Sequence, residues 1–412
     1  MPPALSLAPM TAAARLPEGV AGAPAAAEAT RGLVLTGGGA RAAYQVGVLL
    51  GIRRILVDSG WPAGENPFRV FCGTSAGAIN ATVLASAADE FLDAIARLAL
   101  VWGSLEPAQV YRVDAGGALG NAAQWLGGAG LGWLIRRQPR AFFDTGPLHD
   151  LLIRMIDFDR LARNLDGGIF DALAVSASSY TSGNHVTFFQ SRRTREPITR
   201  SQRLAYPAVL SSDHLMASSA IPFLFPAIPL TMEGRHEFFG DGSMRQTAPI
   251  SPAIHLGARK ILVIGSAELD RNAANRDENG SQYSYPSLAQ VGAHALASIF
   301  LDALASDLER LERINRTLAM LSAEALATTA LRPLKTLVIS PSRPLDHVAQ
   351  PHVKRLPRSV RSLLRIMGAT RGRGAGLSSY LLFDRSYTRR LLAMGRRDAL
   401  AKRAEIEAFF GS

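Results

Sequence analysis

Ser75 lies in the run Gly73-Thr74-Ser75-Ala76-Gly77, a G-x-S-x-G with small residues on both sides of the hydroxyl. Between a strand and a helix, this spacing suits nucleophilic attack on an acyl carbon: a sharp turn lifts the hydroxyl out of the sheet, and larger neighbours would collide with the adjoining strand and helix. A helix beginning at Ala76 would also turn its partial positive end towards the place where an oxyanion forms. The plainer reading of the same residues is a tight structural turn. A second glycine run, Gly37-Gly38-Gly39, precedes Ala40 and Arg41. Three glycines leave backbone N–H groups unshielded and able to converge on an anion, whether a tetrahedral oxyanion or a phosphate. A dinucleotide site is the rival, with Asp58 near where a ribose-binding acid would stand. It is the weaker reading, because Gly39, Arg41 and Tyr44 do not fit a G-x-G-x-x-G frame and it leaves the G-x-S-x-G without a purpose.

A serine hydroxyl needs a base, and histidine is the usual one. The chain has His149, His185, His214, His236, His255, His294, His347 and His352, none in a local pattern that marks it. In an α/β-hydrolase the histidine follows the acid in chain order, which would select His255, His294 or His347. Asp241 ends the apolar run FFGD with Gly242 beside it. That arrangement sets a carboxylate at the rim of a sheet with open backbone around it, and it equally describes a turn-forming Asp-Gly pair. No acidic loop has the ligand spacing of a calcium site, and neither a metal nor a cofactor is expected.

These residues need a scaffold. GLVLT from about Arg31 reads as a short buried strand that breaks at the glycine run before the helical stretch AAYQVGVLLGIRRIL. FRVFC, GTSAG and AINATVLASA repeat the strand, turn and helix order, and two such units in succession predict parallel strands with helical crossovers, an α/β fold. Residues 89 to 165 read as helical, interrupted over about 104–140 by a glycine-rich insertion or lid that carries Trp125 and Trp133. ALAVSASSY, HVTFFQS, EFFGDGS and RKILVIGSA bring the sheet to six strands. The region 271–412 reads as mainly helical, with the late strand TLVIS and a closing helix or pair of helices.

At 412 residues and 48% apolar content the chain can bury a large core, and its net charge of +11 points to contact with something anionic. One cysteine, Cys72, excludes an internal disulfide and fits a reducing, cytoplasmic compartment. Residues 1–30 are rich in Ala and Pro but lack a basic start followed by an unbroken apolar stretch; they read as a disordered lead-in, not a secretory signal. No run has the roughly eighteen consecutive apolar residues of a spanning helix, so any membrane contact is expected to be peripheral.

The blocks TGGGARAAYQVGVL, GTSAGAIN, ASSAIPFLFPAI and GDGS occur in this order between Arg31 and about Ile250, and together they resemble the patatin-like phospholipases, including bacterial members. The resemblance implies a three-layer α/β/α fold around a mostly parallel sheet, with a catalytic domain over 31–270; beyond about Pro252 the motifs stop, and the helical C-terminal extension rests on composition alone. It implies a serine acyl hydrolase of lipid esters working by a Ser-Asp dyad without histidine: Ser75 as nucleophile, Asp241 as base, Gly37, Gly38 and Gly39 as the oxyanion glycines, and Arg41 as the basic residue that follows them. Ala42 stands where the family commonly has glycine, and Ser243 where it often has Gly or Ala. Both replacements are small and bear on substrate preference more than on fold.

From His347 to Phe383 there is no Asp or Glu, while Lys354, Arg355, Arg358, Arg361, Arg365, Arg371 and Arg373 are basic and Leu363, Leu364, Ile366 and Met367 apolar. A basic amphipathic helix over 354–373 could rest on an anionic bilayer; a solvated basic face is the alternative. A catalytically silent scaffold that binds lipid or a protein partner is a further reading, which the presence of both Ser75 and Asp241 disfavours. Nucleic acid ranks last as a partner, because no aromatic residues interleave with the arginines.

Overall fold

Short apolar runs rich in Val, Ile and Leu form the centre of one sheet in the computed structural model, which describes residues 30–112, 141–194, 196–200, 202–268, 303–366 and 375–411. The strands are β1 (Arg31–Leu35), β2 (Val70–Thr74), β3 (Ala172–Ser179), β4 (His185–Ser191), β5 (Ile198–Arg200), β6 (Arg203–Pro207), β7 (Ile228–Met232), β8 (Arg235–Asp241), β9 (Lys260–Ile264) and β10 (Lys335–Ile339). Their order is β10-β9-β1-β2-β3-β4-β6-β5, with the β7-β8 hairpin joined to β3. The run from β10 to β3 is parallel, and β4 and β8 pair with β3 in the opposite sense.

Alternation along these strands divides the interior into two cores. Leu33, Leu35, Phe71, Leu173, Leu262 and Ile264 face one side. Val34, Val70, Cys72, Ala174, Ile261 and Val263 face the other. A strand with both faces covered reads as a continuous apolar run because neither face meets water. Helices α1 (Ala43–Asp58), α2 (Ala76–Ser86) and α3 (Phe91–Ser104) contribute to the first core. Residues of α4 (Gly146–Met155), α5 (Phe158–Asp166) and α6 (Ser212–Ser218) extend it, whereas α7 (Ser251–His255) packs in the second. These are the three layers of an α/β/α fold.

Among the described residues ten strands stand where six and one late strand were expected. The additional ones are the three-residue β5, β6 and the proline-containing β7, whose partner β8 returns through a Glu233-Gly234 turn with both φ positive, at 52° and 75°. Half-buried strands such as RLAYP lack both the apolar run and the clean alternation that mark a strand in sequence.

The C-terminal region is helical as expected: α8 (Ala303–Ala319), α9 (Ala323–Thr328), α10 (Leu345–Ala349), α11 (Arg358–Ile366), α12 (Ala375–Leu381), α13 (Arg385–Ala401) and α14 (Arg403–Gly411). It is built into the same body. The late strand, β10, adds to the sheet beside β9, and α13 lies so close to α1 that a Cβ on Gly395 would come within 2.2 Å of the Tyr44 carbonyl. Phe410 on α14 packs edge-to-face with Phe68 at 5.6 Å, and its carbonyl accepts from Arg31 at the start of β1. In α11, Val360 and Leu364 are buried in the protein, so Leu364 does not face a bilayer. No helix among the described residues is long and apolar enough to cross a membrane. The lead-in, the glycine-rich insertion with Trp125 and Trp133, and Met367, Arg371 and Arg373 of the basic stretch lie outside the described residues.

Candidate functional site

The chain leaves β2 at Thr74 and enters α2 at Ala76, so Ser75 alone makes the turn, with φ 55° and ψ −132°. A non-glycine residue held there stores about 1–3 kcal/mol and needs surroundings that enforce it. Gly77 supplies part of this constraint, since a Cβ there would stand 2.3 Å from the Leu35 carbonyl and 2.5 Å from that of Thr36. Gly73 packs as tightly against α2, where a Cβ would meet Ala78 Cα at 2.4 Å. Ser218, in the ASSAI block, supplies the rest: the Ser75 amide donates to Ser218 Oγ at 2.8 Å, and that hydroxyl donates to the Ser176 carbonyl at 2.6 Å. The turn is thereby pinned to β3 and α6.

Sheet register brings in the carboxylate. On β3, Ser176 pairs with Thr74 of β2 and the next residue, Ala177, pairs with Asp241 of β8. Where β2 turns off into Ser75, β8 takes over the same edge of β3, so the two positions are neighbours along one strand despite their separation in the chain. Gly242 permits the approach, as a Cβ there would lie 2.2 Å from the Ser176 carbonyl. Asp241 is fully buried. Its amide donates to the Ala220 carbonyl at 2.9 Å, and its Oδ1 accepts from the Ser243 amide at 2.9 Å. Its Oδ2 completes no hydrogen bond. Burial pushes the carboxyl up to about 6, opposed by the nearby Ser75 hydroxyl and by the Ser243 amide and hydroxyl. The Ser75 hydroxyl thus acts on the carboxyl without forming a completed hydrogen bond to it.

The glycine loop packs beside this pair. A Cβ on Gly37 would meet Ser243 Oγ at 2.3 Å and Ser75 Cβ at 3.3 Å. The Gly38 carbonyl accepts from the Arg41 amide at 3.0 Å, and the Gly37 carbonyl accepts from the Ser266 hydroxyl. Among the described residues nothing accepts a hydrogen bond from the Gly37 or Gly38 amide. Gln45 Nε2 donates to the Thr36 carbonyl at 2.7 Å, Asn80 Nδ2 to Gln45 Oε1 at 3.2 Å, and Trp102 Nε1 to Asn80 Oδ1 at 2.8 Å. Gln45 and Asn80 stand out in sequence as polar residues in apolar helices, yet no motif announced what they hold. Arg41 donates through its side chain to Asp346, Ser379 and Tyr380 in the C-terminal region.

Ser75 and Gly39 open onto a cavity whose walls include Ile79, Leu105, Leu152, Ile221, Phe225 and Phe383. Among the described residues none that lines it carries a charge. An apolar chain would lose water there at no cost in unpaired polar groups, which suits the acyl part of an ester.

The other sequence candidates lie elsewhere. No histidine among the described residues lines this cavity. His255 borders a separate pocket next to the second core, His347 is exposed on α10, and His294 lies outside the described residues. His185 sits beneath the Asp241-Gly242 turn; burial and the charge of Arg203 push it down to about 4, against a hydrogen bond with the Gly242 backbone, so it stays neutral. Asp58 closes α1, about 24 Å of helix from the glycine loop, and pairs with Arg54 and Arg403. Cys72 is buried in β2, and burial pushes its thiol up and keeps it protonated.

Among solved structures, VipD from Legionella pneumophila matches with 15% identity and a TM-score of 0.29, over 89% of this chain and 67% of that one. No curated protein matches this chain. The patatin-like phospholipase profile matches residues 33–254, which contain the glycine loop, the serine turn, the ASSAI block and the Asp-Gly pair. With more than half of its length matched, the chain belongs to the patatin-like phospholipase family, whose members are lipid acyl hydrolases.

Proposed function

We propose that the protein cleaves carboxylic esters of lipids through a Ser75–Asp241 dyad that uses no histidine. Asp241 takes the Ser75 proton as Oγ attacks the ester carbonyl carbon, and the amides of the glycine loop, with the N-terminus of α2, receive the oxyanion. Collapse of the tetrahedral adduct breaks the bond to the alcohol, which leaves with the proton from Asp241. Water then gives a proton to Asp241, attacks the acyl-enzyme, and releases the carboxylic acid as Ser75 regains its hydrogen.

The observation that carries this reading is the β3 register, which makes Thr74 and Asp241 partners of adjacent residues and so brings hydroxyl and carboxylate together beside an apolar cavity. The carboxyl value supports the role. An ordinary aspartate near pKa 3.9 is a feeble base for a hydroxyl; one raised to about 6 is stronger and is still ionised at neutral pH. Contact with an anionic bilayer through 354–373 is a separate proposal, and with Leu364 turned inward it rests on charge.

Labelling with a fluorophosphonate probe tests the nucleophile, and a panel of phospholipids, lysophospholipids, glycerides and thioesters tests the substrate. The wild type should take up the probe and Ser75→Ala should not. Equal labelling of both would remove Ser75 from the mechanism.

A further inference from the structure

Arg41 is only 3% exposed. A guanidinium that deep is tolerated only when its charge and donors are matched. Three partners of its side chain come from the far end of the chain. Its Nη2 pairs with the Asp346 carboxylate, Nε donates to Ser379 Oγ at 2.6 Å, and Nη1 donates to the Tyr380 hydroxyl at 3.3 Å. The guanidinium also lies over the Tyr380 ring, 4.1 Å from its centroid, and Ser379 Oγ donates to Asp346 at 3.0 Å. Asp346, Ser379 and Tyr380 all fall outside the 33–254 family match.

The same segment touches the glycine loop a second time. Gly39 has φ +52°, and a Cβ on it would come within 2.4 Å of the Tyr380 carbonyl. Arg41 and Gly39 belong to one 3₁₀ turn, and the Arg41 amide is bonded to the Gly38 carbonyl. A shift of the guanidinium therefore re-aims the peptide units that carry the Gly37 and Gly38 amides, of which Gly37 packs against the Ser75 side chain. The planar fork of arginine makes this a fixed-geometry contact, which a lysine could not reproduce.

We infer that Asp346 and Ser379 are positioning residues for ester hydrolysis, holding the glycine loop through Arg41 in the orientation that receives the oxyanion. This rests on the reading in which Ser75 attacks and those amides stabilise the adduct. Neither residue is catalytic in itself, because neither borders the cavity at Ser75. Since the acyl chain is held by other walls, loss of the contact should appear in kcat and leave KM nearly unchanged.

The test is a kinetic cycle on a short-chain p-nitrophenyl ester with Asp346→Asn, Arg41→Lys, Ser379→Ala and the double variant Asp346→Asn/Arg41→Lys. A misplacement on the order of 1 Å at a reacting centre costs about a hundredfold, so Asp346→Asn should lower kcat about ten- to a hundredfold with KM within about twofold. The double variant should be no slower than the slower single, because both changes break one contact. Wild-type kcat in Asp346→Asn, or losses that multiply in the double variant, would overturn the inference. Should Asp346→Asn fail to fold, Ser379→Ala keeps the ion pair and removes one hydroxyl; a several-fold kcat loss there sustains the inference, and an unchanged kcat ends it. Ser75→Ala on the same ester separates the two levels. Turnover retained in Ser75→Ala removes the dyad reading, whereas turnover lost there but kept in Asp346→Asn removes only the positioning role.

Discussion

The glycine loop is gripped from two sides by different chemistry. On the catalytic-domain side, Gln45, Asn80 and Trp102 form a chain of neutral hydrogen bonds ending on the Thr36 carbonyl, with partners 9 to 35 residues apart in the chain. On the C-terminal side, a buried cation is answered by Asp346 across 305 residues. A neutral hydrogen bond contributes about 0.5–1.5 kcal/mol net. Breaking one half of a fully buried ion pair costs about 3–5 kcal/mol, because the remaining charge is stranded; here the Asp346 side chain is 40% exposed, so solvent screening lowers that figure. The near side therefore shapes the loop and tolerates small change, while the far side makes the loop's orientation depend on a segment the family profile does not contain.

The largest effect should come from the pair that both sides serve. Ser75→Ala and Asp241→Asn are each expected to lower kcat on the order of 10⁴-fold or more. In the wild type, Asp241 must be ionised to accept a proton, so kcat should fall about tenfold per pH unit below about 6 and level off above it. Stability runs the other way. The folded carboxyl titrates at about 6 against 3.8 for a free one, so its contribution is complete below 3.8 and is lost as pH rises through 6. At pH 8 the ionised group costs about 3 kcal/mol. Asp241→Asn should accordingly raise the thermal midpoint at pH 8 and leave it nearly unmoved at pH 4; a drop at pH 8 would mean that the carboxylate is better solvated than its burial indicates.

Next come two glycines that discriminate between the grips. Gly77→Ala places its methyl against the Leu35 and Thr36 carbonyls of the central sheet, which cannot yield, so the expected result is loss of soluble folded protein. Gly39→Ala meets the Tyr380 carbonyl of α12 at a residue with φ +52°. The left-handed conformation costs an alanine about 1–2 kcal/mol, and relief by displacement of α12 should lower kcat more than stability. Equal damage to both quantities would argue that the far side is as rigid as the near side.

A smaller effect is expected at Phe383, the C-terminal contribution to the cavity wall. Its ring lies 6.3 Å from Trp102 in a stacked arrangement and 6.2 Å from Tyr111. Phe383→Leu keeps the site apolar and makes room, so the preferred acyl chain should lengthen or broaden while the best kcat/KM stays within about tenfold, a shift of roughly 1.4 kcal/mol. Hydrolysis of a series of esters of increasing chain length checks this.

Legibility in the sequence follows the same division. The family was readable because four blocks in order specify it, and Ser75 and the three glycines drew notice as a tight turn and a bare loop, whereas Asp241 on its own read equally as a turn-forming Asp-Gly pair and was singled out only by the resemblance. The central strands were readable because full burial leaves an uninterrupted apolar run. Ser218, Gln45 and Asn80 sit inside the readable blocks, but their roles are hydrogen bonds to other elements, which spacing does not reveal. Arg41 was visible as a basic residue after the glycines, and its partners were not: Asp346 stands just before the stretch without acids, and nothing in periodicity or composition links it to a residue 305 positions earlier. The strands β5, β6 and β7 escaped because they lie at or near the sheet's margin, where half-exposed positions carry no clean pattern.

The smallest effect belongs to the histidines, and it bears on the whole comparison. If one of them were the base, the contact of Asp241 with Ser75 would be incidental, and the loop's two grips would serve a triad assembled elsewhere. His255 belongs to the pocket beside the second core and His347 is exposed on α10, with neither among the residues that border Ser75. A general base must come within about 2.6–3.2 Å of the proton it removes, directly or through one water. His255→Ala and His347→Ala are therefore expected to keep kcat within about twofold of wild type, inside the usual range of about 0.5 kcal/mol for changes away from a site. A loss of a thousandfold in either of them, at unchanged thermal stability, would require a rearranged active form in which that imidazole reaches Ser75, and Asp241 would then be demoted from base to the residue that orients it.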